Sequence, residues 1–163
     1  MQARYDALLE DLVEACRGHY GERLISVAVY GSVGRGTPRF DSDLDLLIVA
    51  DGLPAGRFPR VEDFRAVEEV LAPRLAAARE AGLHPELSPI FKTREELARG
   101  TPLLLDMTED ARILYDPDGC LAGVLDRLTK RLRELGSRRV WRGNAWYWDL
   151  KPDYTWGDVI ELF

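Results

Sequence analysis

The chain has 163 residues, of which 46% are apolar and 31% charged, with a formal net charge of −6. That length suits one core-forming domain and excludes two large ones, while the acidic balance excludes a general attraction to nucleic acid or to an anionic membrane. No run approaches the ~20 apolar residues that span a bilayer and no apolar leader core follows Met1, so the expected location is cytoplasmic.

In chain order, Tyr5, Leu8, Leu9, Leu12, Val13 and Cys16 recur at steps of three and four, the stripe of an amphipathic helix closed by Gly18. Leu24 to Tyr30 has the character of a strand, and it runs into Gly31-Ser32-Val33-Gly34-Arg35-Gly36. Free backbone N–H groups in such a glycine-rich turn form a cradle for phosphate. After a polar link ending at Ser42 comes Asp43-Leu44-Asp45-Leu46-Leu47-Ile48-Val49. Alternation along a strand sends Leu44, Leu46 and Ile48 into a core and turns Asp43 and Asp45 to the opposite face together. Two carboxylates so placed repel each other unless a proton or a cation lies between them, and hard ions such as magnesium prefer carboxylate oxygen.

Residues 51–59 read as a loop, and a second helix is expected from about Val61 to Ala81, kinked or broken at Pro73. Leu83 to Lys92 reads as a strand whose two prolines favour a sheet edge, with Glu86 sharing a face with Ser88. Thr93 and Thr101 are candidate helix caps, residues 111–115 a short strand, Asp116-Pro117-Asp118-Gly119 a turn, and the segment to about Leu135 a last helix. Between Arg127 and Arg142 lie five further basic residues and one acid, Glu134; the stretch is either a solvated helix face or a docking surface for an acidic partner or RNA. All four tryptophans fall between Trp141 and Trp156, with Tyr147 and Tyr154 among them. Such rings are costly to leave in water, so residues 137–163 are expected to pack on the domain formed by residues 1–136, on a partner, or on a second copy. Residues 158–163 read as a terminal strand or a docking peptide. Cys16 and Cys120 read as reduced thiols, and His19 and His84 are isolated.

Gly31-Ser32, Arg35-Gly36 and Ser42-Asp43-Leu44-Asp45-Leu46 resemble the signature of the DNA polymerase beta-type nucleotidyltransferases, in particular the small prokaryotic minimal nucleotidyltransferases. Two other phosphate motifs fail: Thr37-Pro38 follows Gly36 where a P-loop needs Lys-Ser or Lys-Thr, and Arg39 stands where a dinucleotide fingerprint needs its third glycine. The resemblance implies an α/β fold, a small twisted mixed sheet with helices mainly on one face. It also implies transfer of a nucleoside monophosphate, AMP from ATP, to a hydroxyl acceptor, with two magnesium ions held by Asp43 and Asp45. A third carboxylate on a following strand completes that set, and Glu86 is the only acid in the strand. Gly31, Ser32, Arg35 and Ser42 are the corresponding nucleotide-binding candidates; for Arg35 a pairing with Asp41 or Asp43 is the alternative. The implied partner is a helical HEPN-type toxin, modified by its antitoxin. The competing readings are a binding module that neutralises its partner by contact alone, and an antibiotic nucleotidyltransferase of the kanamycin-modifying type, for which the chain is short.

Overall fold

The structure is a computed structural model that describes residues 1–163. Helix α1 (Gln2–Tyr20) and a 3-10 turn lead into β1 (Leu24–Tyr30), a one-turn helix α2 (Gly31–Gly34) and β2 (Leu44–Ala50). Then follow α3 (Arg57–Glu80), β3 (Leu87–Lys92), α4 (Arg94–Arg99), α5 (Leu103–Asp110), β4 (Arg112–Tyr115) and α6 (Cys120–Leu135). A hairpin of β5 (Arg138–Arg142) and β6 (Ala145–Asp149) comes last.

The main sheet has the order β3-β2-β1-β4, with β1 antiparallel to both neighbours and β2 parallel to β3. The fold class is therefore the mixed α/β one expected from the sequence. Helices cover both faces, however, rather than mainly one. Val27, Val29, Leu44, Leu46 and Ile48 pack with α1 and α3, whereas Ala28, Leu47 and Val49 pack with α4, α5 and α6. This double cover explains why β1 and β2 are apolar at nearly every position: a strand buried on both sides has no face to leave polar.

Three boundaries differ from expectation. Helix α3 begins at Arg57, since Pro59 falls in its first turn, where a missing N–H costs no bond, and the helix continues through Pro73. Strand β3 starts at Leu87 rather than Leu83, and it lies at a sheet edge, which accommodates Pro89. Residues 158–163 form no strand; Leu162 packs against the α6 cluster and the Phe163 ring lies against Gly100. No helix is long and apolar enough to cross a membrane.

Candidate active site

The end of β1, the glycine turn and the start of β2 come together because β1 and β2 pair in register, Tyr30 opposite Asp45. Gly31 has φ +66°, the left-handed region open to glycine. A methyl group added there would overlap Asp45 Oδ2 and lie 3.3 Å from its Cγ, so the turn backbone rests directly on this carboxylate. Asp45 shares a face with Leu47 and Val49, and Leu44, Leu46 and Ile48 point into the opposite core, as alternation requires. Asp43 is exposed and Asp45 half-buried. Burial and the neighbouring Asp43 charge push the Asp45 carboxyl above its ordinary value, with Arg35 acting against them. Burial and the Asp45 charge likewise push the Tyr30 phenol up to about 12.

Ser32 does not cap the turn. Its hydroxyl donates to Ser42 Oγ at 3.0 Å, and Ser42 Oγ also accepts the Arg39 N–H at 2.8 Å. The Tyr5 hydroxyl lies within bonding distance of the Arg39 and Ser42 carbonyls, fastening this loop to α1. Four of the expected residues, Gly31, Ser32, Ser42 and Asp45, thus form one connected wall.

Glu86 stands one residue before β3. Its carbonyl accepts the Leu44 N–H at 2.8 Å, and the register Leu44 to Leu87 and Asp45 to Ser88, continued one step, sets Glu86 beside Asp43. Its side chain is exposed, and no three His, Cys, Asp or Glu side chains gather as a metal-holding group. The backbone therefore brings Glu86 to the same rim, while the side chains of the pair and of Glu86 do not converge.

Arg35 pairs with neither Asp41 nor Asp43. Its Nη1 donates to Asp110 Oδ2 at 2.7 Å, while Arg139 Nη1 donates to Asp110 Oδ1 at 2.9 Å. Asp110 is only 2% exposed, yet both of its oxygens are satisfied. The Trp146 ring lies under both guanidinium groups, at 5.4 Å from Arg35 and 5.1 Å from Arg139. Trp146 and Trp148 both donate their indole N–H to Asp106 Oδ1, at 2.7 and 2.8 Å. The hairpin thereby lies against α5 beside the glycine turn, where Gly34 touches the Asp110 carbonyl so closely that a side chain would not fit. Sequence reasoning missed this cluster. One signal was present: Asp110 follows the buried Met107 by three residues on the apolar face of α5, a place where an acid needs a cationic partner.

A family model described as a nucleotidyltransferase domain matches residues 9–115. A protein of Methanocaldococcus jannaschii that carries the provisional name protein adenylyltransferase is 28% identical over 130 residues, covering 78% of this chain and 83% of that protein. Among solved structures, a toxin-antitoxin complex with AMP-PNP has a chain with TM-score 0.46 and 16% identity, over 78% of this chain and 92% of that one. A complex of tri-AMPylated Shewanella oneidensis HEPN toxin with MNT antitoxin gives TM-score 0.44 and 12% identity, over 83% and 93%.

Proposed function

Since this chain belongs to the nucleotidyltransferase domain family, we propose that it transfers AMP from ATP to a hydroxyl on a protein acceptor. The acceptor oxygen forms a bond to the α-phosphorus, the bond from that phosphorus to the β-phosphate oxygen breaks, and pyrophosphate leaves with that electron pair. The observation that carries this reading is the contact of Gly31 with Asp45, which joins an open backbone turn to a carboxylate pair.

The residues fit magnesium. All donors are oxygen, and the ionised Asp45 sits unfavourably beside Asp43, a charge excess that a cation relieves. Magnesium is commonly held by one or two carboxylates plus substrate phosphates and water, so a pair suffices for one ion. When bound, it neutralises charge on the phosphates and orients them. Asp43 and Asp45 would hold it. The backbone of Gly31 and Ser32 would bind the terminal phosphates, Ser42 would fix the Ser32 hydroxyl, and Arg35 would face the phosphate charge. Glu86, swung inward about its exposed side chain, would receive the acceptor proton and complete a second metal position. The family resemblance and the name of the Methanocaldococcus relative support a protein acceptor; the resemblance specifies a HEPN-type helical one.

The test is label transfer from α-labelled ATP, with magnesium, to an adjacently encoded helical protein. Asp43→Asn with Asp45→Asn is expected to abolish transfer and leave partner binding intact. A wild type that binds such a partner yet labels nothing would return the chain to a contact-only antitoxin. A magnesium titration unchanged by Glu86→Gln would remove Glu86 from the metal set.

A further inference from the structure

The matched family region ends at residue 115, yet Arg35, inside the glycine-turn motif, is held partly by residues of the hairpin beyond it. Arg35 gives one nitrogen to Asp110, and that carboxylate is shared with Arg139 from β5. Two guanidinium groups thus share one carboxylate next to the turn, and a second carboxylate, Asp106, accepts the Trp146 indole N–H. Arg139 is nearly enclosed, its side chain 12% exposed, whereas that of Arg35 is 26% exposed and keeps part of its surface free. The flat face of Trp146 limits Arg35 on the remaining side.

We infer that the C-terminal hairpin is part of the transfer site, with Trp146 and Arg139 as positioning residues that aim the Arg35 guanidinium at the triphosphate. This rests on the transferase reading. Arg139 occupies one oxygen of Asp110, so Arg35 cannot close on that carboxylate with both of its terminal nitrogens. Trp146 supplies a planar surface that keeps the guanidinium from swinging into solvent. Both constraints lower the ordering cost of binding a phosphate, because the arginine is already aimed before the ligand arrives.

Trp148 provides the control. It makes the same bond to Asp106 and packs into the α6 cluster, but it is not stacked on Arg35. A purely structural hairpin would respond to either tryptophan alike. In the full chain, calorimetric titration with magnesium and ATP is expected to give about five-fold weaker binding for Trp146→Leu. Trp146→Phe, which keeps a ring face and lacks the indole N–H, should restore binding to within two-fold. Trp148→Phe should leave binding unchanged while lowering the melting temperature. If Trp146→Leu does not fold, Arg139→Lys takes its place: it keeps the charge on Asp110, loses the planar stack, and is expected to bind about three-fold more weakly. Binding by these variants equal to wild type, or an equal loss in Trp148→Phe, overturns the inference and leaves the transferase reading standing. A wild type that binds no magnesium-ATP overturns the transferase reading, and this inference with it.

Discussion

Replacing Gly31 by alanine tests whether the contact between turn and carboxylate is the centre of the site. Two effects add. The φ of +66° is in the left-handed region, which costs an L-residue about 1–2 kcal/mol. The new methyl also meets Asp45 Oδ2, a short side chain on a strand held at both sides, so the carboxylate must turn away. Gly36→Ala separates the two, because Gly36 has φ +78° and open space around its missing side chain. Gly36→Ala should lose about 1–2 kcal/mol in chemical denaturation, or roughly 2–4 °C of melting temperature for each kcal/mol, and Gly31→Ala should lose more, by the cost of displacing the Asp45 carboxylate. Only Gly31→Ala should also lose AMP transfer from labelled ATP, by about 100-fold, the usual effect of moving a catalytic group by about an ångström. Transfer by Gly31→Ala at the rate of Gly36→Ala would refute the claim that the turn fixes Asp45.

Three further outcomes follow from the same geometry. The raised Asp45 carboxyl takes up a proton more readily when folded, so its ionised form opposes folding above its folded pKa; that cost fades as pH falls through this value and is gone below the ordinary 3.8. Asp45→Asn should therefore melt higher than wild type at neutral pH, with the gain vanishing in acid, while transfer is abolished; a melting curve by circular dichroism across pH checks this. Glu96 behaves in the opposite way: its two bonds to Arg60, at 2.7 and 2.9 Å, and its role in the Thr93 capping box hold its carboxyl down to about 2. Stability from Glu96 is complete above the ordinary 4.5 and drains away as pH falls toward about 2, and Glu96→Gln should cost about 1–3 kcal/mol at pH 7 in urea denaturation. Asp110→Asn, which leaves the nearly enclosed Arg139 and the partly exposed Arg35 short of their counter-charge, should cost about 3 kcal/mol by the same measurement.

The residues that were legible in the sequence act over short range. Alternation of apolar residues around Asp43 and Asp45 gives them a common face, and the run of three glycines marks the turn between the strands, where the structure puts Gly31 at positive φ. Thr93 was readable as a cap for the same reason, since the N–H groups it can reach lie within one helical turn, and the structure adds Glu96 as its partner in a capping box. Boundaries moved where local rules compete: Pro59 reads as a loop residue until a helix starts just ahead of it.

By itself, then, the sequence determined the strand-turn-strand unit, the pairing of its two aspartates and the family to which that unit belongs, because each depends on neighbours a few residues away. Tertiary structure alone decided that helices cover both faces of the sheet, that Glu86 reaches the rim through its backbone, and that Arg35 answers to Asp110 and to the hairpin. Arg35 and Asp110 are 75 positions apart in the chain. No local periodicity spans such a gap; a buried carboxylate takes whichever cation the packing of the fold brings to it.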